Sequence, residues 1–184
     1  MTEPVAKGMR DLLVAAIPNL RAFAISLTGN HSLAADLVQD TLLKAWSHRQ
    51  DFQEGTNLRA WLFTILRNTY FSGIRKSRRE VQDIDGEAAG RLVSQPEQLG
   101  HLEFEDFRVA LQQLSADQRE AILLVGAEGF SYEEAATVCG CAVGTVKSRV
   151  NRARIRLAEL MSARDNMQDV PQTGSSTTPM RVAR

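Results

Sequence analysis

A chain of 184 residues with an apolar fraction of 43% can form one domain or two small helical ones with buried cores. Its 22 basic and 22 acidic residues cancel, so net charge selects no class of partner and only the distribution of charge informs. No apolar run approaches the ~20 residues that span a bilayer and no basic segment with an apolar core opens the chain, so a cytoplasmic protein without membrane contact is expected.

The periodic segments are helical and no alternating strand pattern interrupts them, which predicts an all-α fold: two small helical domains joined by an acidic flexible linker. A first helix is expected from about Asp11 to Leu27, with Leu12, Leu13, Ala16, Leu20, Phe23 and Leu27 as its buried stripe and Gly29-Asn30 as its stop. A second starts at Ser32. Ala34, Leu37, Val38, Thr41, Leu42, Ala45 and Trp46 share one side of it, leaving Asp36, Gln39, Asp40, Leu43 and Lys44 on the other. After a polar loop from His48 to Thr56, a third helix starts near Asn57 and ends in the basic run Arg75-Lys-Ser-Arg-Arg79. Residues 10–80 therefore form the first domain.

Residues 81–101 lose the pattern, with Asp83-Ile-Asp-Gly86, Ala88-Ala-Gly90 and Ser94-Gln-Pro96 offering little to bury, and read as the linker. A helix from about Leu102 aligns Phe104, Phe107, Leu111 and Leu114. Ser115 with Gln118 opens the next as a capping box, and Ala121, Leu124 and Val125 give it a core. The second domain spans 102–163, and residues 164–184 read as a disordered tail.

The end of that domain is the most informative segment. Ser131 and Glu134 form another capping box, Ala135, Ala136 and Val138 supply a packing face, and Cys139-Gly140-Cys141 makes a corner. In the helix that follows, Val146, Val150, Ala153, Leu157 and Leu160 recur at three and four as one apolar stripe. Thr145, Ser148, Arg149, Arg152 and Arg156 share the opposite face, flanked by Lys147 and Arg154, so donors for phosphates and base edges project from one rigid helix. This is a helix-turn-helix. Arginines on an amphipathic helix are often only a solvated face, but residues 143–164 hold six basic side chains and one acid in a neutral chain, and such segregation favours a polyanion. Ala142 stands where Ser, Asp or Asn would cap the recognition helix, forgoing roughly 1 kcal/mol.

Residues 1–80 carry eleven basic and seven acidic side chains, and residues 81–106 one and seven, so two positive lobes flank a negative connector. Cys139 and Cys141 are too close for an ordinary disulfide, and His31, His48 and His101 stand at no zinc-ligand spacing from them, so they read as packed turn residues. No metal and no cofactor are expected, and no nucleophile motif or phosphate-binding glycine loop supports an enzyme.

Asp36-Leu-Val-Gln-Asp-Thr-Leu-Leu-Lys-Ala-Trp46, Ala60-Trp-Leu-Phe-Thr-Ile-Leu-Arg-Asn68, the basic run after it and Gly144-Thr-Val-Lys-Ser-Arg149, in that order, resemble the extracytoplasmic-function (ECF) sigma factors of bacterial RNA polymerase. Thr64 to Glu80 and Cys139 to Arg154 look most like the alphaproteobacterial general-stress-response subgroup, EcfG. The resemblance implies that Asp36, Gln39, Asp40 and Leu43 dock on the clamp helices of the largest subunit of core RNA polymerase. Leu43 on its own fits an ordinary surface leucine equally well.

It further implies that the loop and third helix handle the minus-10 element of promoter DNA, where a base leaves the duplex and its neighbours are shielded. Of the aromatics there, some must be core, and Trp61 is the expected core member. Asn57, Arg67, Asn68, Tyr70 and the terminal cluster Arg75, Lys76, Arg78 and Arg79 are the candidates for DNA. The second domain would read the minus-35 element, with Lys147, Ser148, Arg149 and Arg152 nearest the bases, Arg154 or Arg156 on phosphate, and Thr145 beside them. The acidic linker fits a transcript mimic or a plain tether. An anti-sigma protein, NepR-like for this subgroup, and a PhyR-like mimic that removes it are the further partners implied.

Two other functions compete: a simple helix-turn-helix regulator, and a sigma-like decoy that binds an anti-sigma protein without touching DNA. The first half shows no ligand-pocket motif, which weighs against the regulator. The recognition-helix cations are kept, which weighs against the decoy.

Overall fold

The structure is a computed structural model describing residues 3–83 and 102–168; most of the span read as linker and the tail beyond 168 lie outside the described residues. Every regular element among them is helical: α1 Glu3–Thr28, α2 His31–Ser47, α3 Leu58–Asp83, α4 Leu102–Gln112, α5 Ala116–Ile122, a wide π turn Leu123–Ala127, α6 Tyr132–Cys139 and α7 Val143–Gln168. The expected all-α fold is the one observed. α1, α2 and α3 pack on one another, and α7 packs on α4, α5 and α6.

Local signals set the boundaries. Gly29 turns the chain out of α1 at φ +69°, its amide bonded to the Ile25 carbonyl, and Asn30 caps α2 by accepting from the Leu33 amide. Both α5 and α6 open with complete capping boxes, Ser115 with Gln118 and Ser131 with Glu134. Three helices outrun their expected ends. α1 begins at Glu3, with Pro4 in its first turn, where a missing amide proton costs nothing. α3 continues to Asp83, because no breaker lies between Arg79 and Gly86, and α7 runs to Gln168, past the expected start of the tail, because none lies between Arg164 and Pro171.

The first core gathers Leu13, Leu20, Phe23, Ala24 and Leu27 of α1, Ala34, Leu37, Val38, Thr41 and Ala45 of α2, and Leu62, Phe63 and Leu66 of α3. Four side-chain expectations need correction. Leu12 is 54% exposed, since α2 and α3 cover the side of α1 centred on Leu20 and Phe23. Trp46 is exposed, with the Arg49 guanidinium 4.9 Å over its ring. Phe107 is 43% exposed; among the described side chains of α4 the buried ones are Ala110 and Leu111 near its end. Phe63, not Trp61, is the fully buried ring of α3, 4.9 Å from Phe23; Trp61 is half-buried, 5.3 Å from Phe52 in the preceding loop.

The reading that no segment is long and apolar enough for a bilayer is also corrected: Gly8–Thr28 has 21 residues and a mean hydropathy of 1.3. Here its apolar stripe is spent on the first core, and Asp11 and Arg21 interrupt its exposed side.

The two helical groups touch. α3 lies on α6, and α1 meets α4, α5 and the π turn. Arg119 organises this junction: buried, it donates to the carbonyls of Leu111, Gln112 and Leu114 at the end of α4 and to the Leu27 carbonyl at the end of α1. Four acceptors satisfy a guanidinium whose charge burial disfavours. One side chain thereby satisfies the orphan carbonyls of two helix C-termini.

Candidate nucleic-acid interface

The turn between α6 and α7 is built from backbone. Gly140 adopts φ +63°, the Cys141 amide reaches back to Ala136 and the Gly140 amide to Thr137, the paired bonds of a Schellman motif. Cys139 is buried and its thiol is pushed up by desolvation and by the neighbouring Glu120 carboxyl, so it packs rather than reacts. α7 then starts at Val143, with Ala142 in the cap position offering only its carbonyl, to the Thr145 and Val146 amides.

Val146, Val150, Ala153 and Leu157 are buried, which fixes the rotation of α7 and turns Thr145, Arg152 and Arg156 outward. Ser148 and Arg149 are half-buried. Arg149 donates to Asp117 of α5 at 2.8 Å and approaches the Cys141 sulfur at 3.8 Å, so its guanidinium is held at the rim of the outward face. Arg156 pairs one turn on with Glu159. Thr145, Arg149, Arg152 and Arg156 thus form one line. Lys147 and Arg154, seven residues apart, make a second line on the far flank, where Lys147 sits over the Tyr132 ring at 5.6 Å. Between the lines stands Ile155, 54% exposed, which the sequence reading missed because it falls outside the apolar register.

α3 presents its candidates differently. Asn57 caps the helix, its Oδ1 accepting from the Ala60 amide, while its Nδ2 donates to Glu134 of α6 at 2.9 Å. The same Glu134 closes the α6 capping box, and the Ser131 amide foremost, with Asn57, holds its carboxyl below the ordinary range. Arg67 donates through Nε to Glu120 of α5 at 2.9 Å and stacks over Phe71 at 4.8 Å. Tyr70 is half-buried, its hydroxyl 3.4 Å from the Leu27 carbonyl, and desolvation raises its pKa. Asn68, Arg75, Lys76 and Arg79 are exposed, and the Arg78 side chain lies outside the described residues. The minus-10 candidates with described side chains therefore fall into two sets: Asn57, Arg67 and Tyr70 engaged within the protein, and Asn68, Arg75, Lys76 and Arg79 at the exposed surface.

Around Arg67 lies a network that the sequence reading did not find. Glu120 is 0% exposed, and burial pushes its carboxyl up to about 7 against the pull of Arg67. Arg59 of α3 donates to both the backbone carbonyl and the carboxylate of Glu128, and its guanidinium lies 4.6 Å from the Phe130 ring centroid and 5.4 Å from that of Phe63. Those rings meet edge-on at 5.2 Å. One signal was available: Glu120 stands four residues before Leu124, on the buried side of α5.

On α2, Asp36, Gln39, Asp40 and Leu43 are all exposed, with Leu43 at 58%. Beside them a groove of about 400 Å³ runs between α1 and α2, floored by Ile17, Val38 and Leu42 and edged by Arg21, Gln39 and Leu43. An apolar floor with a charged rim suits a partner helix.

Comparison with known proteins joins these faces. The family described as Sigma-70 region 2 matches residues 13–80, and Sigma-70, region 4 matches residues 104–157. The chain is 62% identical over 158 residues to the ECF RNA polymerase sigma factor EcfG of Rhodopseudomonas palustris, covering 86% of this chain and 87% of that one. The sigma factor RpoE of Bartonella quintana, solved with the anti-sigma factor NepR, is 58% identical with a TM-score of 0.77, covering 85% of this chain and 98% of RpoE. The anti-anti-sigma factor PhyR from Bartonella quintana, solved with NepR, reaches a TM-score of 0.53 at 19% identity, covering 79% of this chain and 47% of PhyR, and shares the fold alone. With both sigma regions present in order and this identity spread over both helical groups, the chain belongs to the ECF sigma factors of the EcfG subgroup.

Proposed function

We propose that residues 10–80 bind core polymerase and handle the minus-10 element, and that residues 102–163 read the minus-35 element. The observation that carries this division is the α7 line of Thr145, Arg152 and Arg156 facing outward with Arg149 held at its rim, on a helix whose rotation is fixed by a buried stripe and whose approach is fixed by a capped α6. A recognition helix needs that rigidity, because a bidentate arginine contact with guanine tolerates little angular error. Asp36, Gln39, Asp40 and Leu43 dock on the clamp helices of the largest subunit. Asn57, Arg67, Asn68 and Tyr70 take the minus-10 bases, and Arg75, Lys76, Arg78 and Arg79 follow their phosphates.

The genes served are those of the general stress response, the protein works in the cytoplasm beside polymerase, and a NepR-like anti-sigma helix covers the α1–α2 groove. Identity to EcfG and RpoE supports these finer assignments. A decoy shares the fold but has no use for the outward cations of α7, which this chain retains.

Runoff transcription tests the reading, with core polymerase and a template carrying a GGAAC-like minus-35 and a CGTT-like minus-10 element. Transcript should depend on this protein and vanish when either element is mutated. Core binding without transcript from any template of this class would remove the promoter assignment.

A further inference from the structure

Between the two basic lines of α7 runs a strip without charge. Gly144, Ser148, Asn151 and Ile155 follow one another at four, three and four residues, opposite the buried Val146, Val150, Ala153 and Leu157. Arg149, Arg152 and Arg156 border the strip on one side, Lys147 and Arg154 on the other. A helix laid in the major groove turns such a strip to the floor, where the base edges lie, and its borders towards the phosphate walls.

Two residues of the strip cost the helix and return nothing to the fold. Glycine and asparagine are both poor formers of helix interiors, asparagine because its side chain competes for backbone groups. Asn151 is exposed, and its side-chain amide has no hydrogen-bond partner among the described residues. The cations around it are placed by contrast: Arg149 by Asp117, Arg156 by Glu159, and Lys147 over the Tyr132 ring. Gly144 answers no internal need either, since a Cβ built on it would meet nothing within 4 Å. Its missing side chain leaves room for a molecule outside the chain to approach the backbone at the head of the strip.

The chemistry of Asn151 selects a base. Thr145 and Ser148 offer single rotatable hydroxyls and the basic side chains only donate. Among the outward side chains from Val143 to Arg154, Asn151 alone therefore holds a donor and an acceptor side by side in one plane. Adenine presents the complementary pair in the major groove, the N6 amino group and N7, whereas guanine presents two acceptors, which suit arginine. We propose that Asn151 is a specificity-determining residue of the minus-35 interface, taking one adenine through Oδ1 and Nδ2 while the flanking cations serve guanine and phosphate. The proposal rests on the minus-35 reading of α7 and adds an uncharged reader to a face otherwise defined by its cations.

The test uses holoenzyme reconstituted from the full chain and core RNA polymerase, with equilibrium binding to promoter duplexes in which each minus-35 base pair is replaced in turn. Asn151→Ala should weaken the parent duplex about tenfold, as loss of one bidentate pair does, and flatten the preference at one A·T pair while the other positions keep their ranking. At that pair 7-deazaadenine, which lacks the N7 acceptor, should weaken binding by the parent protein and leave Asn151→Ala unaffected. Asn151→Asp turns the donor into an acceptor and should shift the preference there towards cytosine, whose amino group donates. Because the site is exposed and unpartnered, both variants should melt with the parent.

An Asn151→Ala holoenzyme weakened by the same factor on every duplex would make the contact a phosphate one and overturn the proposal. Binding of the whole series like the parent would overturn it too. In both cases the parent's own profile separates the two layers: discrimination at minus-35 keeps the α7 reading while the Asn151 assignment falls, and indifference to every minus-35 change removes both.

Discussion

α7 and α3 carry similar side chains in opposite circumstances. Both are long amphipathic helices with arginines off the apolar stripe, yet on α7 the line Thr145, Arg152 and Arg156 faces outward, while on α3 Asn57 and Arg67 are held by acids from α6 and α5. The difference lies in what packs alongside. α7 rests on its own domain through one stripe and turns its back to everything else, whereas α3 is a core helix of the first domain and also the surface on which the second domain sits. A helix-face reading is complete for α7 and half the story for α3.

The contrast can be broken first at the ring shared by both partners. Phe63 packs on Phe23 inside the first core and on Phe130 across the junction, so Phe63→Ala should cost about 3 to 5 kcal/mol in urea denaturation, far more than any change on α7's outer face. A cost under 1 kcal/mol would mean that the two groups do not share that core.

Glu120 gives the next largest effect, through pH. Its carboxyl is raised from 4.5 to about 7, so the folded state holds the proton more tightly than the unfolded chain does. That contribution is complete below the unfolded value and disappears as pH climbs through 7. Unfolding free energy attributable to this group should therefore fall between about pH 5 and about pH 8, by on the order of 3 kcal/mol at most. Glu120→Gln, neutral throughout, should flatten that part of the profile, and a profile identical to the parent's would place Glu120 in solvent.

On α7 the effects are smaller and fall on DNA. Arg149→Ala should cost about 1 to 3 kcal/mol and relax preference at one minus-35 position, because Asp117 holds that guanidinium in place. Arg156→Ala should weaken all sequences alike, by about one phosphate contact. Identical profiles for both variants across a promoter series would erase the division. Smallest of all, Ala142→Ser should add the missing cap and stabilise the start of α7 by roughly 1 kcal/mol, read as a higher melting temperature.

What was legible in the sequence was what is local. Both capping boxes and the Gly140 corner are patterns within a few residues, the α7 stripe is a periodicity within one helix, and each formed. Leu12 and Phe107 went wrong because a stripe predicts a side and not how far a neighbour covers it. The charge junction was invisible for a different reason: its partners lie 53, 69 and 77 residues apart, and no periodicity links Arg67 to Glu120, Arg59 to Glu128 or Asn57 to Glu134. Of the candidate residues, those on α2 and the α7 line share faces that spacing alone defines. The α3 set divides according to a contact that only the fold creates.

Amide hydrogen exchange on the free chain and on the chain in a holoenzyme–promoter complex tests the account most directly. Leu123–Ala127 and the start of α6 lie against the first domain. Their protection should drop when α3 takes up the minus-10 strand, while the buried stripe Val146, Val150 and Ala153 keeps its own. Unchanged protection at the π turn in an actively transcribing complex would contradict the account, because α3 would then be reading DNA without releasing the second domain.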